Sequence, residues 1–265
     1  MIQSIAFPTD FSELGNLAFE HALGLAVTHR CRLDLLHVRD PHEDSEWGSF
    51  PHVRSVLGKW QLIPDGASPA DVADTLGLTV RKIEITDTDI TDGLFRFLDL
   101  HRPDLLVMAT HGRAGLTRWL SGSVSVELAA KSAVATLLFG PQASPFVDAA
   151  TGRLAVERIA VPVDHQPSAS RGLQKVSYLL ELFDAEIDAF HVGSEAPAVV
   201  GSGARELPVR LVSGDVVPVI LAESGDAELL LMTTAGREGV LDAIRGSTAE
   251  RVINKASCPV LLVQG

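Results

Sequence analysis

The chain has 265 residues, 46% hydrophobic and 21% charged, with a formal net charge of −12. This composition suits a folded protein of one large or two small domains and excludes bulk disorder. The acidity excludes a general pull toward nucleic acid or an anionic membrane, so a bound anion needs a local device.

The predicted elements follow in chain order. Residues 2–7 read as a strand. Residues 12–30 read as a helix with Leu14, Leu17, Ala18, Ala22 and Leu25 on one face, and Asp10 with Glu13 as a capping box at its start. Residues 33–38 and 80–85 predict two further strands, 91–101 a helix stopped by Pro103, 105–110 a strand, 123–132 a helix and 136–139 a fifth strand. Between the second and third strands lies an insert, about 40–67, with His42, Glu43, Asp44, His52, Trp47, Phe50 and Trp60. Its histidines and carboxylates match no familiar metal spacing, so no metal site is assigned. Its aromatics read as fastening a flap over the sheet end, or as docking a partner. Residues 141–156 predict a linker, with Phe146-Val147 and Leu154-Ala155 forming a short hairpin arm. Cys31 and Cys258 flank apolar runs and read as small buried hydrophobes. No run reaches the roughly 18 apolar residues of a membrane span, and Met1 opens on no signal-peptide pattern, so the expected compartment is the cytoplasm.

The chain repeats itself. IAFPTD at 5–10 matches IAVPVD at 159–164, and LDLLHV at 33–38 matches IDAFHV at 187–192, an offset of 154. PDLLVMATHGRAG at 103–115 matches AELLLMTTAGREG at 227–239, an offset of 124 that persists to the end. Two domains follow: 1–140, carrying the insert, and 157–265. Strands alternating with helices imply parallel pairing. The expected fold is α/β: two tandem Rossmann-like units, each an open five-stranded parallel sheet with helices on both faces. The edges of the final strands need cover, and a duplicated chain satisfies both by pairing them antiparallel as an internal pseudo-dimer; a further homodimer stays open.

Ligands of such sheets bind at the carboxyl ends of the strands. After the first strand stand Pro8, Thr9 and Asp10, where Asp10 either accepts from a ribose hydroxyl or caps the next helix. Val38 ends the second strand, where the backbone can read an adenine edge or simply terminate. Met108 and Ala109 end the fourth strand and lead into Gly112, Arg113, Arg118 and a Gly122-Ser123-Val124-Ser125 helix start. Glycines allow close approach, helix N-termini favour phosphate, and the serines add donors. The loop equally reads as glycines serving only their turns. His37, His111 and His191 read as structural histidines.

These residues resemble the universal stress protein family. Its nucleotide-binding pattern is a glycine, two residues, a glycine, nine residues, then glycine and serine or threonine. Gly112 and Gly122-Ser123 match its latter part, with Ala109 at the first glycine; the second copy offers Gly236 and Gly246-Ser247, with Thr233 there. The resemblance implies a tandem member in which Asp10 contacts ribose, Val38 adenine, and Gly112, Gly122, Ser123 and Ser125 the phosphates of ATP, with magnesium as a companion ion. A weaker second site would use Asp164, Val192, Gly236, Gly246, Ser247 and Thr248. The leading reading is an ATP-binding stress or signalling protein with an unidentified protein partner, more sensor than catalyst. A slow ATPase or nucleotide-using transferase, and an interaction module that binds no nucleotide, are the alternatives.

Overall fold

The computed structural model describes residues 2–42, 44–45, 47–110, 122–201, 205–234 and 248–265. The first half runs β1 (Ser4–Pro8), α1 (Glu13–His29), β2 (Arg32–Arg39), α2 (Val53–Lys59), α3 (Pro69–Leu76), β3 (Thr79–Thr86), α4 (Ile90–His101), β4 (Leu105–Ala109), α5 (Gly122–Lys131) and β5 (Ala135–Phe139). The second runs β6 (Arg158–Pro162), α6 (Ala169–Lys175), α7 (Ser177–Phe183), β7 (Glu186–Val192), β8 (Val199–Val200), β9 (Glu206–Leu207), β10 (Val209–Val212), α8 (Val216–Glu223), β11 (Leu229–Thr234), α9 (Thr248–Ile253) and β12 (Val260–Gln264).

The two five-stranded parallel units are joined in one ten-stranded sheet of order β10-β7-β6-β11-β12-β5-β4-β1-β2-β3. The seam is the expected one: β5 and β12 pair antiparallel, Leu137 opposite Leu261. Each unit is doubly wound, with its strand order reversing between β1 and β4, or between β6 and β11.

Period-2 alternation sends strand side chains to two faces. Ile5, Phe7, Leu33, Leu35 and Val107 lie in one core with residues of α1, α2 and α3, and that core continues through Phe139 and Val161 to Val263 and the residues of α6 and α7. Ala6, Leu36, Val38, Leu106 and Met108 pack on the other face against α4, α5, α8 and α9. Both sheet faces are covered, so the strands read as unbroken apolar runs.

One carboxylate, fully buried in the first half and partly buried in the second, ties the outer strands of each half. Asp34 on β2 takes a two-point grip from Arg81 on β3, at 2.6 and 2.8 Å, and a third contact from Arg32. Asp188 on β7, at the matching position, is gripped by Arg210 on β10 and by Arg158. Arg210, with Arg158 behind it, holds the Asp188 carboxyl below its usual range despite burial.

The hairpin arm forms: Val147 bridges Leu154, and the Ala155 N–H donates to Phe146 O at 2.7 Å. It docks on α1. His21 Nε2 accepts from the Phe146 and Val147 N–H groups, at 3.0 and 3.2 Å, while Nδ1–H donates to Leu17 O. Burial pushes the His21 pKa down to about 4, so the ring is neutral and can accept. The insert is no loose flap. Leu57, Trp60 and Val72 join the core, and Trp60 lies against the hairpin turn, where a Cβ on Gly152 (φ +70°) would stand 2.3 Å from its ring.

Candidate functional site

β1 and β4 are neighbours at the reversal of strand order, and in open α/β sheets the carboxyl ends of the strands beside such a reversal are where ligands bind. The segment after β1 is folded tightly there. Thr9 N–H donates to Leu36 O at 2.8 Å, tying it to β2. Phe11 takes a left-handed φ of 59°, and the Phe11 N–H donates to Thr9 Oγ1. Asp10 Oδ1 then accepts from Ser12 N–H at 3.0 Å. The helix cap differs from the expected one: Ser12, not Asp10, is the N-cap of α1, accepting from Gly15 N–H at 3.0 Å. With the left-handed residue at 11, the cap falls two positions later than the sequence spacing suggests.

Asp10 is thereby released from capping. It is 8% exposed, and its Oδ2 is buried with no hydrogen-bond partner among the described residues. A buried carboxylate oxygen without a donor is costly. This one stands where the fold delivers ligands.

An aromatic wall closes the side toward β2. His37 Nδ1–H donates to Thr9 O at 3.1 Å, which fixes the tautomer. The Phe11 ring lies 4.5 Å from that of His37, and Phe50 from the insert meets both edge-on. Lys82 sits over Phe50 at 5.6 Å. Thus Phe50 does reach the strand ends, as part of a packed wall. Val38 is buried on the opposite sheet face, with Gly93 of α4 close by.

On the β4 side, Pro8, Met108 and Ala109 are buried strand ends. Gly122, Ser123 and Val124 form the first turn of α5. Ser125 departs from its expected role: its O–H donates to Ala109 O at 3.2 Å in a fully buried position. A hydroxyl has one proton, so this one joins β4 to α5 and is not offered to a phosphate. Gly112, Arg113, Arg118 and His111 lie outside the described residues.

The second half repeats the frame with different side chains at the strand ends. His191 Nδ1–H donates to Val163 O at 2.9 Å, as His37 does to Thr9. Asp164, the counterpart of Asp10, is exposed, and its Oδ1 accepts from His165 N–H. Val192 ends β7, and Thr248 starts α9 on the surface. Gly236, Gly246 and Ser247 lie outside the described residues. Thr233 does not obstruct as its size suggests. A Cβ on Gly172 of α6 would stand 2.4 Å from Thr233 Cγ2, so the methyl is received by the helix.

Burial pushes the thiols of Cys31 and Cys258 up to about 12, leaving them unreactive. Among the described residues no three His, Cys, Asp or Glu side chains converge as metal ligands, and no helix is long and apolar enough to cross a membrane.

The doubly wound halves, their crevices and the internal two-fold seam define a tandem α/β protein of the nucleotide-fold type. The chain belongs to the universal stress protein family, which matches residues 1–139 and 200–264. It is 29% identical over 139 residues to universal stress protein MJ0531 of Methanocaldococcus jannaschii, covering 41% of this chain and 82% of that one. A universal stress protein from Archaeoglobus fulgidus shares the fold over 98% of this chain and 96% of its own, with a TM-score of 0.63 at 19% identity. Protein PA1789 from Pseudomonas aeruginosa does so over 99% and 92%, with a TM-score of 0.63 at 14% identity.

Proposed function

We propose that this chain is a cytoplasmic stress-response protein that binds ATP in the crevice of its first half, in a domain of residues 1–140, and acts as a nucleotide sensor. The observation that carries this reading is Asp10 Oδ2, buried at the switch point with no hydrogen-bond partner among the described residues. The donor it lacks is what a ribose hydroxyl supplies. Beside it, the strand ends at Pro8, Val38 and Ala109 offer backbone groups, and the first turn of α5 offers N–H groups to phosphate. Gly112 and Arg113 complete the phosphate side by their place in the motif. The second domain, 157–265, keeps the frame as the pseudo-dimer partner.

A sensor rather than a catalyst is supported by how the crevice's polar groups are used. His37 Nδ1–H serves Thr9 O, and the Ser125 proton serves Ala109 O. Asp10 is placed to bind, with its Oδ1 already held by Ser12 N–H. The test is mass spectrometry of small molecules released from freshly purified protein, followed by calorimetric titration of the stripped chain with ATP. Released adenine nucleotide and saturable binding that Asp10→Ala removes are expected. Binding that ignores Asp10→Ala would overturn the assignment.

A further inference from the structure

On the far side of the molecule a cavity of about 480 Å³ opens between the loops leading into β4 and β5, the end of β12, and the α6–α7 junction. Lys175, Tyr178, Val263, Ser132, Ala133 and Asp104 line it. The internal repeat says what it is. By the two sequence offsets, Lys175 corresponds to His21, Tyr178 to Gly24, Ala133 to Ser257 and Val263 to Phe139. The helix ends confirm the register, because Arg30 and Asp184 both cap in the left-handed conformation.

All four counterparts touch the linker. Ser257 O accepts from Ser144 N–H at 2.7 Å. The Phe139 and Phe146 rings lie 6.4 Å apart. His21 Nε2 takes the Phe146 and Val147 N–H groups. A Cβ on Gly24 would stand 3.3 Å from Gly152 O. The cavity is therefore the two-fold mate of the groove in which the extended linker runs, with no linker in it.

Three differences specify its occupant. Tyr178 stands where Gly24 gives the hairpin room, so a chain entering this seat cannot continue as the linker does and must end. Lys175 stands where His21 accepts, so the group met at that end must be an acceptor. Its Nζ donates to Gln264 O at 2.8 Å, and an ammonium has further protons to give. Ser132, where the other copy has Ala256, is 6% exposed, with its Oγ buried and unpartnered among the described residues. The other charges on the wall are Arg102, Asp99 and Asp104, and Asp104 Oδ2 already accepts from the Gln3 and Ser4 N–H groups.

We propose that this cavity seats the extended C-terminal tail of a partner protein, small residues running past Ala133 and the terminal carboxylate meeting Lys175. The probe is N-terminally fluorescein-labelled Gly-Pro-Gln-Ala-Ser, the sequence of residues 140–144, with a free carboxylate, titrated with the full chain by fluorescence anisotropy. Saturable binding is expected, at least tenfold weaker for the C-terminal amide and for Lys175→Met, and lost in Ser132→Trp, which fills the seat. Should Ser132→Trp not fold, the acid–amide comparison and Lys175→Met decide alone. No saturable binding, equal binding of acid and amide, or indifference to Lys175→Met would overturn the proposal.

Discussion

Asp10 keeps a buried carboxylate oxygen without a donor among the described residues, an arrangement worth about 1–3 kcal/mol against the folded state, and a fold tolerates that where a ligand relieves it. Asp10→Ala removes this burden together with the bond from Ser12 N–H, so the two effects oppose each other. We expect ATP affinity to fall at least tenfold by calorimetry, while the melting temperature of the nucleotide-free chain stays within a few degrees of the parent. A large loss of stability would mark Asp10 as structural. His21 makes the opposite case, a fully satisfied buried ring. Its folded pKa of about 4 lies below the ordinary 6.5 because of burial. The unfolded chain therefore binds the proton first as pH falls. The stability His21 supports is complete above pH 6.5 and is lost as pH drops through 4, on the order of 3 kcal/mol in all. Urea denaturation from pH 7 to 4 should show this slope, flattened in His21→Phe; an unchanged slope would remove His21 as its source. The position of Asp10 after the first strand was legible from the apolar run before it. The hairpin bond of His21 was not, because its donors lie 125 and 126 residues away and nothing local announces them.

Helix and strand meet through matched volumes, and the two halves solve one contact differently. In the first half Ala18 on α1 and Ala109 on β4 occupy the positions that Gly172 and Thr233 hold in the second. Gly172→Ala would drive a Cβ to 2.4 Å from Thr233 Cγ2, and such overpacking costs about 1–3 kcal/mol. Combined with Thr233→Ala it rebuilds the first half's pair, so the double variant should regain most of the loss. A double-mutant cycle on denaturation free energies measures this, and additive effects would show that the two do not meet. The spans of β1 to β5, α1, α4 and α5 were readable from alternation and periodicity to within a residue or two, but not the insert helices α2 and α3, nor this complementarity. Thr233 alone looks like an obstruction to a ligand; only α6 packed above it shows where the methyl goes. The outer strands depend on another pair. Arg81→Met leaves Asp34 fully buried with only Arg32 beside it, and breaking a buried pair from one side costs about 3–5 kcal/mol. Chemical denaturation should show a loss of that order, and a loss below about 1 kcal/mol would mean that Asp34 is already satisfied without Arg81.

The whole molecule is a duplication whose copies share a sheet but differ in the side chains at their strand ends. The four repeated blocks foretold both the five-stranded units and the antiparallel seam, since each final strand had an edge with no other cover. Which copy holds ligand rests on details spread over both. Asp10 is buried with one oxygen unpartnered among the described residues, whereas Asp164 is exposed and turned onto its own backbone neighbour. Thr9 and Ser12 fix the first turn through their hydroxyls, and the second copy has Val163 and Gln166 there. The family match includes Asp10 but passes over residues 140–199, and with them Asp164. The glycine loops point the same way in sequence: 111–125 carries Arg113 and Arg118 without a carboxylate, while 235–249 sets Glu238 and Asp242 against Arg237 and Arg245. A triphosphate near added carboxylates loses on the order of 1 kcal/mol or more where the pair is partly desolvated. One ATP per chain is therefore expected, in the first half, and titration of the stripped protein should end at a stoichiometry near one. Gly122→Val should abolish that binding by crowding the first turn of α5, and Gly246→Val should leave most of it. Two equivalent sites, or binding lost only in Gly246→Val, would transfer the function to the half assigned here to support.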